Sequence, residues 1–218
     1  MRKNIYCVFD TETIGLDKKW IYDLGCVITD KHGKIYHKAR WIIKEVMDIP
    51  NIEQMAFYGK KIDTFYKGME SVSFKTARTE FNNILQEFNV NMICAYNLPF
   101  DIQALKATLE LTNCGKKFLD KPITYFDIMG ASCESFFQQK TFKKVAEREG
   151  WLTEKGNYRT TAEVAYRYVT GDFQFVESHT ALEDCEIETI ILQDVLRQKK
   201  KIVKNQIVYN VWRKAQVA

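Results

Sequence analysis

Two short, almost continuous apolar runs constrain the fold of this 218-residue chain more than any other feature. They span residues 5–9 and 91–96, and each has the length of a β-strand rather than of a helix. Runs of this kind are typical of strands that are buried on both faces in the centre of an α/β sheet. Residues 24–29 and 34–43 predict two further strands joined by a polar turn at Gly33, so the chain opens with antiparallel pairing.

The remaining pattern predicts one α/β domain over residues 1–218, with a mixed five-stranded sheet flanked by helices. Apolar residues at helical spacing from Phe74 to Phe88 predict a crossover helix that leads into the strand at 91–96. Residues 44–72 are interpreted as an irregular insertion and 200–218 as a C-terminal extension. Further helices are predicted at 98–111, 141–150, 161–169 and 181–200, and a fifth strand at 123–127.

The charge, the cysteines and the lengths of the apolar runs indicate where in the cell the protein acts. The chain has 32 basic and 28 acidic residues, so its net charge of +4 is mild, and attraction to phosphate depends on local lysine clusters. Six cysteines are scattered without a C-x-x-C pair, which indicates neither a zinc site nor a disulfide framework. No run has the length of a signal segment or a membrane span. We therefore expect a soluble, reduced, cytoplasmic protein with no membrane partner.

The first chemical motif is a pair of carboxylates, Asp10 and Glu12, at the end of the first apolar run. Residues two apart on a strand share a face, so both carboxylates are expected to project on the same side of the sheet, as a metal site requires. A calcium loop of the EF-hand type needs oxygen ligands at its fifth and twelfth positions. Those positions here are Ile14 and Ile21, which excludes that alternative.

The second motif follows the other central strand, where Asn97 and Pro99 predict a helix start with Asp101 one turn in. Ligands bind at this edge of open α/β sheets. Taken alone, Asp101 fits an ordinary first-turn acid at a positive helix end better than it fits a ligand, because such acids are common.

The third motif predicts a capping box, in which Thr180 is the helix N-cap and Glu183 its partner. His179 and Asp184 then occupy the two positions that usually form an apolar contact across the helix start. An imidazole and a carboxylate are therefore expected to be neighbours there, and Glu188, one turn further, is expected to support them.

In these three segments the sequence resembles the DnaQ-like 3′–5′ exonucleases, in the branch that has four acidic residues and a histidine. Residues 9–16 are similar to the first family motif, 97–101 to the second, and His179 with Asp184 to the third, in the same order. The sister branch has tyrosine where this chain has Thr180. Two residues depart from the family pattern, Ile14 and Tyr96, and both concern the shape of the nucleotide pocket. Residues 159–190 are most similar to virus-encoded or bacterial members, and a virus-encoded protein would act in the host cytoplasm.

The resemblance implies a ribonuclease H-like fold and a two-metal-ion mechanism. Two Mg²⁺ or Mn²⁺ ions would be held by Asp10, Glu12, Asp101 and Asp184, and His179 would act as general base on the attacking water. The substrate implied is the 3′ end of single-stranded DNA or RNA, which would be released as nucleoside 5′-monophosphates. By the same resemblance, the substrate contacts are Thr13, Leu16, Asn97 and Phe100.

The same residues fit other functions and other structural roles. A non-catalytic nucleic-acid-binding or scaffold domain would share the fold, and so would an endonuclease. The alternating aromatic and basic residues at 57–67 fit either a guide for the strand or an amphipathic connector packed on the core. The basic residues Lys199–Lys204, Arg213 and Lys214 fit phosphate contacts or a helix end. DNA versus RNA, a protein partner and the oligomeric state are not predicted.

Overall fold

A mixed five-stranded sheet forms the centre of the protein in a computed structural model that describes residues 4–198 and 209–216. The strands are β1 (Ile5–Thr13), β2 (Ile21–Asp30), β3 (Ile35–Ile42), β4 (Met92–Ala95) and β5 (Thr124–Asp127). Their order in the sheet is β3-β2-β1-β4-β5. The antiparallel opening and the parallel centre are both confirmed, since β1 pairs antiparallel with β2 and parallel with β4.

The turn between β2 and β3 has the polar chemistry that the sequence predicts. Asp30 Oδ1 accepts hydrogen bonds from the backbone N–H groups of His32 and Lys34, at 2.8 and 3.2 Å. Gly33 has a φ of +84°, a conformation that favours glycine, so the turn can close within five residues.

Helices cover both faces of this sheet. The crossover helix α4 begins where the sequence predicts, because Ser73 caps it by accepting a hydrogen bond from the N–H of Thr76. The insertion at 44–72 contains short helices and a π-helical turn at Ile62–Tyr66. The α-helices are α1 (Lys44–Met47), α2 (Ile52–Met55), α3 (Gly59–Lys61), α4 (Phe74–Glu87), α5 (Leu98–Thr112), α6 (Ile128–Glu134), α7 (Lys140–Arg148), α8 (Ala162–Thr170) and α9 (Ala181–Arg197), and 3₁₀ turns span Phe136–Gln138 and Val211–Gln216.

The two faces of β1 pack against different helices, and this decides where the polar residues at its end lie. Cys7 and Phe9 belong to a core cluster with side chains of α4 and α5. Tyr6 and Val8 belong to a second cluster with side chains of α6 to α9. Because side chains alternate along a strand, Asp10 and Glu12 continue the α9 face. Thr11, between them, continues the α5 face.

Among the described residues, no helix is both long enough and apolar enough to cross a membrane. Part of the predicted basic C-terminus, Lys199–Lys204, lies outside the described residues, as does the predicted end of α9 at residue 200. Arg213 and Lys214 lie in the last 3₁₀ turn, where the Lys214 ammonium bonds to the Glu134 carboxylate.

Candidate metal centre

The predicted acidic residues and the histidine lie near the carboxyl-terminal edge of β1 and β4. Asp10 and Glu12 lie near the end of β1, and Asp101 is in the first turn of α5, shortly after β4. Asp184 is in the first turn of α9, preceded by His179 in the connecting loop. Because β1 and β4 are parallel, their carboxyl ends meet at this edge, where ligands bind in α/β sheets.

Glu12, His179 and Asp184 form a group whose potential ligand atoms all lie within 4.8 Å of one another. The predicted proximity of His179 and Asp184 across the helix start is thus confirmed. Asp184 Oδ1 is buried and makes no hydrogen bond to any residue that the structure describes, so its lone pairs remain available to a cation. Two carboxylates and an imidazole fit a divalent metal ion. This donor set differs from the all-oxygen first shell that the sequence predicts.

Burial and like charge make this group favour protons at neutral pH. Burial raises the pKa of Asp184 to about 9, and the charges of Glu177 and Glu12 add to the increase. Burial raises the pKa of Glu12 to about 7, with Asp23 as the next contribution. The pKa of Asp10 is also raised, by burial first and then by neighbouring carboxylates. A bound cation would replace these protons and remove the repulsion.

Asp101 is held on the other side of β1. It is only 2% exposed, so the interpretation of an ordinary exposed acid at a helix end is wrong. Its Oδ1 accepts a hydrogen bond from Thr11 Oγ1 at 2.7 Å, on the α5 face of the strand. Burial raises the pKa of Asp101 to about 8, although the bond from Thr11 opposes the increase. Asp101 therefore approaches the edge from a different direction and lies outside the group of Glu12, His179 and Asp184.

His179 is a half-exposed imidazole with a carboxylate beside it. Its Nδ1 lies 3.8 Å from Glu177 Oε2. Burial lowers the pKa of His179, and the charge of Lys61 lowers it further. The imidazole is therefore neutral at pH 7 and can accept a proton.

The start of α9 differs from the predicted capping box. Thr180 is the N-cap residue, but its hydroxyl donates to Glu183 Oε2 at 2.8 Å instead of accepting a hydrogen bond from the helix backbone. The Ser178 hydroxyl bonds to the same carboxylate. The N–H of Ala181 is satisfied by Asp23 Oδ2 at 3.1 Å, which explains how the helix can begin without the predicted cap.

Asp23, on β2, is a residue of the site that belongs to none of the three sequence motifs. It is fully buried, lies opposite Glu12 in the sheet, and accepts two hydrogen bonds from the Arg40 guanidinium at 2.9 and 2.8 Å. It also accepts one from the Tyr66 hydroxyl at 2.8 Å. Close approach of α9 is possible because Gly25 has no side chain: a Cβ there would lie 2.5 Å from the backbone of Ala181. Asp23 thus joins the sheet, the insertion and α9 at the site.

We expect Asp23→Ala to lower the free energy of unfolding by about 2–4 kcal/mol, because it leaves Arg40 and the start of α9 without their buried partner. Urea denaturation followed by circular dichroism measures this change. Asp63→Ala is the matched control, since Asp63 pairs with Lys67 at an exposed i,i+4 position. Equal stability of the two variants would contradict the role of Asp23.

A buried hydrogen bond between Glu188 and Tyr96 joins α9 to the end of β4. The Glu188 carboxylate is buried and accepts a hydrogen bond from the Tyr96 N–H at 3.0 Å, directly after β4. The Tyr96 hydroxyl donates to the carbonyl of Thr160 at 2.8 Å. Glu188 therefore joins α9 to the end of β4, and its predicted support of His179 and Asp184 stays a prediction. Tyr96, which departs from the family pattern, is a buried structural tyrosine.

The predicted substrate contacts lie around this edge in different environments. Leu16 is 73% exposed, and Phe100 is partly buried in the first turn of α5. The Thr13 hydroxyl donates to the carbonyl of Gly15 at 3.4 Å. Asn97 is the N-cap residue of α5, as the sequence predicts, but it is exposed, has a φ of +64°, and its side chain makes no capping hydrogen bond. The left-handed backbone turns the chain into α5 instead.

The aromatic and basic stretch 57–67 is divided between the core and the surface. Tyr66 and Ile62 are buried, as an amphipathic connector requires. Phe57 is 80% exposed, and its N–H donates to the carbonyl of Ile14 at 3.2 Å, which places it beside the loop that follows Glu12. The insertion therefore packs on the core and also leaves an aromatic ring exposed near the carboxylates.

Solved structures with a similar architecture are exonucleases and a nuclease. Escherichia coli exonuclease I in complex with a dA16 oligonucleotide has a TM-score of 0.54 at 12% identity over 91% of this chain. The chain has the fold of exonuclease I. Cell-death related nuclease 4 (CRN-4) has a TM-score of 0.55 at 14% identity over 92% of the chain, and exonuclease I of Methylocaldum szegediense has 0.55 at 15% over 90%. The predicted resemblance and the ribonuclease H-like α/β class are thus confirmed at the level of the fold.

The chain spans 41% of the length of the two exonuclease I proteins and 66% of CRN-4. No protein-family model matches its sequence, and no curated protein sequence does.

Proposed function

We propose that this chain is a metal-dependent 3′–5′ exonuclease that hydrolyses single-stranded nucleic acid to nucleoside 5′-monophosphates. The observation that carries the proposal is the group of Glu12, His179 and Asp184 at the ligand-binding edge of the sheet. A carboxylate cluster that raises its own pKa values costs stability, and a scaffold would gain nothing from it. The fold shared with exonuclease I and CRN-4 agrees with the proposal.

The residues that would hold metal are the four acids. Glu12 and Asp184 would hold metal together, Asp10 would add a carboxylate from the same strand, and Asp101 would add one from the α5 face, where it accepts the bond from Thr11. Mg²⁺ and Mn²⁺ suit these oxygen ligands. When bound, such ions activate water and stabilise the charge that develops on phosphate oxygens.

His179 would take the proton from the attacking water. Its pKa is lowered, so the imidazole is in the basic form at neutral pH. Because Nδ1 faces Glu177, Nε2 is the nitrogen left to receive the proton. Burial raises the pKa of Glu177 to about 7, and in its ionised form Glu177 would stabilise the imidazolium that forms.

A single strand fits the surroundings of the site. Leu16 and Phe57 are exposed apolar side chains close to the end of β1, and unpaired bases stack on surfaces of this kind. Among the similar structures, exonuclease I is in complex with single-stranded DNA. We propose the same class of substrate here, as DNA or RNA.

The proposal is tested with 5′-labelled single-stranded DNA and RNA of the same sequence, incubated with the protein in Mg²⁺. We expect a ladder that shortens from the 3′ end and disappears with EDTA or in Asp184→Ala. Internal cuts would show an endonuclease, and binding without cleavage would show a non-catalytic domain. Either result would overturn the proposal.

A further inference from the structure

The insertion at 44–72 makes direct contact with the loop that carries His179. The Lys61 ammonium, at the end of α3, donates hydrogen bonds to the carbonyl oxygens of Ser178 and His179, the second at 2.6 Å. Lys61 is 118 residues away from His179 in the chain and is partly buried. Its ammonium therefore bonds to two successive backbone carbonyls of this loop, while its charge also acts on Glu12 and Asp184.

The backbone of His179 needs such support. Its φ is +54°, a left-handed conformation that few residues other than glycine adopt without cost. Strained conformations of this kind persist where the surroundings hold them, and they occur at functional sites. Lys61 bonds to the carbonyl on each side of this strained φ.

The imidazole ring of His179 is also held. The Tyr58 ring stacks on it with centroids 4.6 Å apart and planes 19° apart. Glu177 faces the Nδ1 edge of the ring. One face, one edge and the backbone of His179 are therefore all constrained, and two of these constraints come from the insertion.

We propose that Tyr58 and Lys61 are positioning residues that hold His179 in the orientation from which its imidazole reaches Glu12 and Asp184. This inference rests on the proposed function, because it assigns the two residues to the reaction that His179 serves. The insertion also contacts the carboxylate edge through Phe57 and the Asp23 network through Tyr66, so its position relative to the site is fixed at several points.

The kinetic test compares disruptive and conservative substitutions. We expect Lys61→Met and Tyr58→Leu to lower kcat about 10-fold, a part of the 10²–10⁴ that a general base contributes, with KM unchanged within about twofold. Lys61→Arg keeps two or more donors and Tyr58→Phe keeps the ring, so both should recover most of the activity. Lys60→Met, at an exposed neighbouring lysine, is the matched control.

A second measurement does not depend on activity. The chain has three histidines, so the imidazole signals in a ¹H–¹³C spectrum can be assigned by substitution. We expect the His179 ring protons to be shifted upfield by the Tyr58 ring, and this shift to be lost in Tyr58→Leu but kept in Tyr58→Phe. If the chain is not a nuclease, the spectrum still tests the positioning.

Unchanged His179 signals in Tyr58→Leu would overturn the stacking role. A rise in KM with constant kcat in Lys61→Met would overturn the positioning role of Lys61 and assign it to substrate binding.

Discussion

Asp184→Asn is expected to lower kcat by about 10³-fold, equivalent to about 4 kcal/mol of transition-state stabilisation. The substitution keeps the size of the side chain but removes the negative charge from the group that would hold the metal. The measurement is single-turnover cleavage of a labelled oligonucleotide at saturating Mg²⁺, and Mn²⁺ affinity is measured in parallel by calorimetry. Both should fall.

The same substitution should stabilise the metal-free protein. The pKa of Asp184 is 3.8 in its ordinary state and about 9 in the folded protein, so the folded state binds the proton more tightly than the unfolded state. The contribution of Asp184 to stability is therefore fully present below pH 3.8 and is lost as pH rises towards about 9. Asn cannot ionise, so at pH 8 the variant should gain about 1–2 kcal/mol, a Tm higher by about 2–8 °C.

Asp194→Asn is the control, because Asp194 lies on the same helix and bonds to Gln198 rather than to the site. It should retain cleavage and should not raise the Tm at pH 8. Saturating Mn²⁺ should reverse the order of stability, since only the wild-type carboxylate binds it well. An Asp184→Asn protein that is less stable than the wild type at pH 8 without metal would contradict the proposed repulsion.

The fold could be predicted from the sequence because its signals are local. The buried strands and the crossover helix follow from apolar patterns of a few residues, and the observed α4 ends one residue before the predicted end. The ends of strands were less accurate: β1 continues to Thr13 because it stays paired with β2 beyond the apolar run. The residues by which pairing with another strand extends β1 have no local apolar pattern that would predict the extension.

The site was predicted only in part, for a related reason. Alternation along β1 placed Asp10 and Glu12 together, and helix geometry placed His179 beside Asp184. The network around Asp23 depends on residues up to 158 positions apart, and so no local pattern identifies its partners. A lone aspartate within the apolar stretch 21–29 was the available signal.

The structure of the insertion could not be predicted from the sequence for the same reason. Residues 44–72 have no clear period, and Pro50, Gly59 and Gly68 interrupt them. Their short helices form because they pack between β1, β2 and the loop before α9, as the contacts of Tyr66 and Lys61 show. Tertiary contacts, more than helix propensity, stabilise helices this short.

His179→Ala is expected to lower kcat by about 10²–10⁴-fold while changing Mn²⁺ affinity by less than about threefold, if the imidazole acts as general base. The position of His179 within 4.8 Å of Glu12 and Asp184 also permits a direct role as metal ligand. That role predicts a different result, since losing a nitrogen ligand weakens metal binding together with activity. Calorimetry with Mn²⁺ and single-turnover cleavage at saturating metal measure the two effects separately.

The two roles differ further in what excess metal can restore. If His179 is a ligand, raising Mn²⁺ should recover much of the activity of His179→Ala, because occupancy is what the variant lacks. If His179 is the base, the deficit should persist at full occupancy, because bound metal does not replace the lost proton acceptor. His32→Ala, at an exposed turn, controls for general effects of removing an imidazole. Recovery of His179→Ala activity at high Mn²⁺ would contradict the general-base role of His179 and would agree with the proposed metal centre.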